Sequence, residues 1–301
     1  MPFRKLFGGS GKPDKSQQSA KTDELWEPTD AASEEEPGEE SVPEGAPEES
    51  DAVDWRARAA AILPTGASTG SKRVAALYGA DDAVGPSHFT GAVGCRVFDT
   101  DGNEYVDCTM ALGSVALGYA EPNVTRAVIE AVSNGSVSGL SDAREVEIAE
   151  RLHGVIPCAE MVQFVKTGAE AMSAAVRLAR AYTSRDLVIG SGYFGWHDWS
   201  STAPGVPATV QSNYRSIPFD DVPALEAAAL EAGNRLAAIV IEPVVERMPD
   251  IHWIKRAREL CDAVGAALIF DEMKTGFRLA TGGYQETSGV TPDLAAFGKA
   301  M

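Results

Sequence analysis

The segment that most clearly indicates the fold is residues 267–299. It begins with ALIFDEMKTGFR (267–278) and ends with PDLAAFGK (292–299). Residues 267–270 are an uninterrupted apolar run, which predicts a strand buried on both faces. Residues 294–297 predict a second short strand. Asp271 directly follows the first strand and Lys299 follows the second, so a carboxylate and an amine are expected near strand ends.

Upstream of this stretch, apolar runs alternate with amphipathic segments. Such repeated strand–helix units predict an α/β fold, a mostly parallel sheet with helices on both faces. In such sheets, ligands bind beyond the carboxyl ends of the strands. The predicted strands are 161–165, 187–189 and 237–241, and the predicted helices are 122–134, 142–155, 169–182, 222–232 and 254–264.

The N-terminal region has a different character. Residues 1–55 contain fifteen acidic and five basic side chains, a net of −10 out of −18 for the chain. We therefore expect a disordered acidic tail over residues 1–52. Residues 53–110 are expected to form an N-terminal segment that opens with a helix and contains a hairpin, whose turn carries Asp101-Gly102. Residues 111–301 are expected to form the large, ligand-binding domain.

Composition excludes several classes of protein. An acidic chain without clustered Lys and Arg does not suit a nucleic-acid-binding surface. No apolar run approaches the roughly 18 residues that would indicate a membrane span. The four cysteines have no CxxC spacing and lie apart from the histidines, so we expect no metal site and reduced thiols in the cytoplasm.

Two predicted strand ends have binding potential. The turn Lys166-Thr167-Gly168-Ala169 leads into a helix N-terminus, where free N–H groups and the helix dipole suit a phosphate. The loop 192–199, GYFGWHDW, is dense in aromatic side chains. These side chains either stack against a flat cofactor or simply pack the loop onto the core.

The remaining strand ends carry ionisable groups. Glu242 follows one apolar strand and Asp271 follows the next. A buried carboxylate requires a cationic partner or several donors, and for Asp271 the candidates are a protonated ligand nitrogen, a helix cap, or a salt bridge to Lys274 or Arg278. Lys299 at a buried strand end can lose its proton and act as a nucleophile, although most lysines are merely solvated.

Taken in order, these segments resemble the class III PLP-dependent aminotransferases, in the branch that contains glutamate-1-semialdehyde 2,1-aminomutase. The resemblance covers residues 63–301. It is strongest from Asp271-Glu272 through Thr275-Gly276-Phe277-Arg278 to Gly298-Lys299. It implies the fold type I of PLP-dependent transferases, pyridoxal 5'-phosphate (PLP) as cofactor, a small-molecule amine donor, a carbonyl acceptor and a homodimer.

The resemblance also assigns roles to individual residues. Lys299 is the lysine that forms a Schiff base with the cofactor, and Asp271 faces the pyridine nitrogen. Met273 packs on one face of the ring and Tyr193 on the other. The phosphate is held at Thr167, Gly168 and Ala169, Glu242 is a supporting carboxylate, and Lys72 stands where the aminomutases have an arginine that receives a substrate carboxylate.

Some features depart from the family. Ala169 replaces a frequent Ser or Thr, and Lys72 lacks the bidentate fork of arginine. Family members continue beyond the lysine, so the resemblance implies that the C-terminal small domain is missing here. Three functions stay open: an aminotransferase, an aminomutase, or a catalytically silent binding protein.

Overall fold

The computed structural model describes residues 53–80 and 84–301. These residues divide into two compact units, one ending at Ser87 and the other spanning His88–Met301. The predicted acidic tail, residues 1–52, lies outside the described residues. No helix within the described ranges is both long and apolar enough to cross a bilayer.

The first unit is helical. Helix α1, Trp55–Ile62, begins at Asp54, whose side chain accepts a hydrogen bond from the Ala57 N–H at 2.9 Å. This confirms the helix expected at the start of the N-terminal segment. A turn of 3-10 helix at Gly70–Lys72 precedes helix α2, Val74–Tyr78.

The second unit opens with a small antiparallel sheet of strands β1 (Phe89–Val93), β2 (Arg96–Asp99) and β3 (Glu104–Val106). The predicted hairpin is confirmed as the β2–β3 pair. Gly102 supplies the positive φ of +82° that the turn needs. The Asp99 carboxylate accepts hydrogen bonds from the N–H groups of Asp101 and Asn103, which fixes the turn.

The main sheet has five parallel strands in the order β5-β4-β6-β7-β8. Their bounds are β4 Leu187–Ser191, β5 Tyr214–Ser216, β6 Leu236–Ile241, β7 Ala267–Asp271 and β8 Leu294–Ala296. The helices are α3 Met110–Gly113, α4 Pro122–Ser133, α5 Ala143–Val155, α6 Gly168–Thr183, α7 Ala208–Gln211, α8 Val222–Ala232, α9 Ile251–Val264 and α10 Tyr284–Ser288.

Different helices cover the two faces of this sheet. Alternate strand residues such as Ile239 and Leu268 join one core cluster with α8 and α9. The intervening residues, for example Val240 and Ile269, are also fully buried, and α6 contacts β6, β7 and β8. Both faces are therefore covered, which explains the unbroken apolar runs in these strands. The predicted α/β class is confirmed.

One predicted strand is wrong, and one strand of the structure was not predicted. Residues 161–165 are extended but are not a strand, because a strand needs a hydrogen-bonded neighbour and none lies beside this segment in the described part of the chain. Conversely, Tyr214–Ser216 forms the edge strand β5 without a preceding apolar run. Only one of its faces is partly buried, so its sequence carries no strong strand signal.

Candidate active site

Four parallel strands bring their carboxyl ends to one edge of the sheet. In the register, Ser191 of β4 lies opposite Ile241 of β6, and Asp271 of β7 lies opposite Ala296 of β8. Glu242, Asp271 and Lys299 therefore follow neighbouring strands at the same edge. This is the part of a parallel sheet where ligands bind.

The Asp271 carboxyl group is buried and accepts few hydrogen bonds. The side chain accepts a hydrogen bond from the Met273 N–H at 3.0 Å, and the residue is only 4% exposed. Burial raises the pKa of Asp271 to about 7, and the negative charge of Glu242 adds to this effect against the opposing charges of Lys299 and Lys274. A cation in contact with Asp271 would restore its charged form.

Lys299 is half-buried and faces the same site. Burial lowers its pKa, and so does the neighbouring charge of Lys274, while Asp271 and Glu242 act in the opposite direction. Its φ of +52° lies in the left-handed region, which costs a non-glycine residue about 1 kcal/mol. Such a strained lysine with a readily released proton is suited to nucleophilic chemistry.

The N-terminus of α6 is prepared for an anion. Thr167 and Glu170 form a capping box, in which each side chain accepts the other residue's backbone N–H. The N–H groups of Gly168 and Ala169 have no acceptor among the described residues. Two free donors at the positive end of a helix dipole suit a phosphate group.

Close packing around this turn requires glycine. A Cβ on Gly168 would lie 2.9 Å from the Met273 sulfur, and a Cβ on Gly298 would lie 2.7 Å from the same atom. A Cβ on Gly195 would lie 2.5 Å from the Ala169 Cβ, and Gly195 has a φ of +92°. The Met273 side chain thus lies between the α6 turn and the strand end that leads to Lys299.

The aromatic loop has buried and exposed rings. Phe194 and Trp199 are buried and stack with ring centroids 5.5 Å apart, so they anchor the loop. Tyr193 and Trp196 are 71% and 76% exposed, so their rings are accessible to a ligand. The His197 ring forms a hydrogen bond with the Ser173 hydroxyl at 2.7 Å, which ties the loop to α6.

Lys274, which the sequence offered as one of several possible partners of Asp271, pairs instead with Glu242. Its ammonium group lies 2.5 Å from Glu242 Oε1. Glu242 Oε2 accepts the Tyr193 N–H at 3.1 Å. Gly192 allows this contact, since a Cβ there would lie 2.4 Å from the Glu242 Cβ.

A polar cavity of about 450 Å³ adjoins the strand end that carries Lys299. Residues 108–116 form one wall, and Phe277, Arg278 and Ala300 form the other. Arg278 donates a hydrogen bond to the Gly113 carbonyl and is therefore engaged with this wall rather than with Asp271. Ala300, which directly follows Lys299 in the chain, is the lining residue nearest to it in sequence.

Lys72, which the resemblance offers as a substrate-binding residue, belongs to the other structural unit. In that first unit its side chain is exposed at the end of the Gly70–Lys72 turn. Within the described residues, no group of His, Cys, Asp and Glu side chains has the arrangement of a metal site.

Comparison with known proteins identifies the family. The sequence profile of class-III aminotransferases matches residues 79–192 and 196–301. The 3-aminobutyryl-CoA aminotransferase of Cloacimonas acidaminovorans is 37% identical over 224 residues, covering 72% of this chain and 54% of the relative. The glutamate-1-semialdehyde 2,1-aminomutase of Syntrophobacter fumaroxidans is 40% identical over 227 residues, covering 69% and 52% respectively.

The fold agrees with this sequence similarity. The solved structure of the FumI protein of Sphingopyxis sp. MTA144, in its PLP internal aldimine form, superposes with a TM-score of 0.75 at 27% identity. The match covers 82% of this chain and 61% of that one. The chain spans about half the length of the curated relatives it matches. On its sequence and on its fold, the chain belongs to the class-III aminotransferase family.

Proposed function

We infer that this chain forms the PLP-binding part of an aminotransferase that moves an amino group from a small-molecule amine to a carbonyl compound. The observation that carries this inference is the placement of Asp271 and Lys299 at the carboxyl ends of two neighbouring strands. A buried carboxyl with an elevated pKa and a half-buried lysine with a lowered pKa lie at these strand ends. PLP would supply a cationic partner for Asp271 and an aldehyde for the Lys299 amine.

The residues present fit PLP at both of its ends. The free N–H groups of Gly168 and Ala169 would bind its phosphate, with Thr167 capping the helix behind them. Asp271 would hold a proton on the pyridine nitrogen, because the resulting ion pair relieves the burial of its carboxylate. Met273 and Tyr193 would pack on the two ring faces, and we assign cofactor binding as a whole to residues 111–301.

Bound PLP supplies an electron-accepting ring that stabilises negative charge on the substrate carbon bearing the amine. Lys299 would hold the cofactor covalently in the resting protein. Its free amine would also be the base that takes the proton from that carbon. Its lowered pKa keeps a larger share of this amine neutral, as both roles require.

An aminomutase is the second candidate, and the 40% identity to the aminomutase of Syntrophobacter fumaroxidans favours it. In that reaction Lys72 would receive a substrate carboxylate, as a single charge rather than a bidentate fork. Supplying glutamate 1-semialdehyde without an amine donor separates the two candidates. An aminomutase forms 5-aminolevulinate under these conditions, whereas an aminotransferase does not.

A homodimer in the cytoplasm is part of the same proposal. Helix α4 exposes Val128, Ile129 and Val132, each more than half accessible, and a contiguous apolar row of this kind favours a protein interface. The four cysteines are unpaired thiols, which supports a reducing compartment.

The experiment that tests the function is covalent trapping of PLP. The chain is mixed with PLP, reduced with borohydride and digested, and the modified peptide is identified by mass spectrometry. We expect the label on Lys299, and no label at this position or visible PLP–lysine absorption in Lys299→Ala. Lys255→Ala, which changes an exposed lysine of α9, is the matched control and should retain both signals. Equal trapping in Lys299→Ala and the wild type would refute the proposed function.

A further inference from the structure

We propose that Lys274 is a positioning residue of this site, which sets the charge around Lys299 by pairing with the buried Glu242. The inference rests on the proposed function, because it assigns that charge to the capture of an aldehyde by the Lys299 amine. The evidence begins with the contact itself. The Lys274 ammonium group lies 2.5 Å from Glu242 Oε1, and the Glu242 side chain is only 4% exposed.

Glu242 uses both of its oxygens within the site. Oε1 faces Lys274 and Oε2 accepts the Tyr193 N–H at 3.1 Å. Lys274 is therefore the positive charge that compensates a buried carboxylate. Removing one partner of such a pair leaves the other charge buried and uncompensated.

The two members of the ion pair, Glu242 and Lys274, have opposite effects on the pKa values of Lys299 and Asp271. The charge of Glu242 raises the pKa of both residues, and the charge of Lys274 lowers the pKa of both. While the ion pair is intact, these two effects oppose each other. Lys274 therefore shields the nucleophilic amine from a carboxylate that would otherwise hold its proton.

The main influences on the pKa of Lys299 support this role for Lys274. Burial has the largest effect, and the charged neighbours are Lys274 and Arg278 on one side and Asp271 and Glu242 on the other. Arg278 is occupied by backbone carbonyls of Lys274 and Gly113. Lys274 has the larger effect of the two cations, and it is the one paired with an acid that also acts on Lys299.

The test measures the Lys299 amine directly, without cofactor. Lysines are labelled competitively with trace acetic anhydride across a pH series, and the extent of labelling at Lys299 is read by peptide mass spectrometry. In Lys274→Met we expect the labelling midpoint of Lys299 to rise by about half a pH unit. In Glu242→Gln it should fall, and in the double variant it should return towards the wild-type value.

Two controls separate charge from packing. Lys274→Arg keeps the positive charge and should leave the midpoint close to that of the wild type. A purely structural role would move both single variants in the same direction and would not cancel in the double variant. That outcome, or an unchanged midpoint in Lys274→Met, would overturn the inference. Far-UV circular dichroism verifies that each variant is folded.

Capture of PLP distinguishes this inference from the proposed function. If both hold, the rate of PLP capture follows the neutral fraction of Lys299, so its pH midpoint moves with the labelling midpoint in every variant. Failure of the wild-type chain to capture PLP would refute the proposed function, while the labelling series would still decide whether Lys274 controls the charge at Lys299.

Discussion

Asp271 and Glu272 are adjacent carboxylates, yet their surroundings differ completely. Glu272 is fully buried and accepts hydrogen bonds from the Thr275 hydroxyl and from the N–H groups of Tyr284 and Gln285. Asp271 is almost as buried and accepts one bond, from Met273. A satisfied buried carboxylate holds the fold together, whereas an undersatisfied one identifies the place where a cationic ligand group is expected.

The largest expected effect is a difference in stability between the amide variants of these two residues. Glu272→Gln turns a donor toward groups that are themselves donors, so we expect the free energy of unfolding to fall by about 2–4 kcal/mol. Asp271→Asn keeps the acceptor for the Met273 N–H and removes a desolvated acid, so its cost should stay within about 1 kcal/mol. Urea unfolding of both variants measures the difference.

For PLP affinity we expect the opposite order, with the larger loss in Asp271→Asn. Asp271→Asn cannot hold a charge against the pyridine nitrogen, so its affinity for PLP should fall about tenfold or more, the loss expected for a charge-assisted hydrogen bond. Any Glu272→Gln chain that remains folded should bind PLP nearly as well as the wild type. Equal loss of stability in both variants would contradict the distinction between them.

A smaller effect is expected where the aromatic loop approaches the α6 turn. Gly195→Ala places a Cβ 2.5 Å from the Ala169 Cβ at a φ of +92°. Gly205 has a similar φ of +96° and no atom within 4 Å of its Cβ position, so Gly205→Ala measures the backbone cost alone. The unfolding free energy of Gly195→Ala should fall about 1–3 kcal/mol further, the usual cost of overpacking. Equal losses of unfolding free energy in the two variants would show that the loop moves to accommodate the new Cβ without further destabilisation.

Sequence reasoning found the elements whose patterns are decided locally. The bounds predicted for α8 match the structure, since a proline at its second position and Gly233 after its end mark them. The unbroken runs of β6 and β7 reflect burial on both faces. The segment 161–165 is also mostly apolar, with Gln163 in its middle, but whether it forms a strand depends on a neighbouring strand that no local pattern can supply.

In the candidate site too, some features follow from the sequence pattern and others depend on tertiary contacts. Topology alone places Asp271 and Lys299 at one edge of the sheet, because parallel strands align their carboxyl ends. The Lys274–Glu242 pair depends on how the segment after β7 crosses the end of β6, and this is a tertiary arrangement. Lys274 lies three residues after Asp271 in the sequence. This spacing makes it one of several possible partners for Asp271 and gives no sign of its contact with Glu242.

The most direct test of the account is titration of the Asp271 carboxyl by NMR of carbon-13-labelled aspartate, with Asp271→Asn used to assign the signal. In the free chain we predict a pKa of about 7, far above the ordinary value of 3.8. On addition of PLP the carboxyl should remain ionised to much lower pH, because it faces a protonated nitrogen. A pKa near 4 in the free chain, or one that PLP leaves unchanged, would contradict the account.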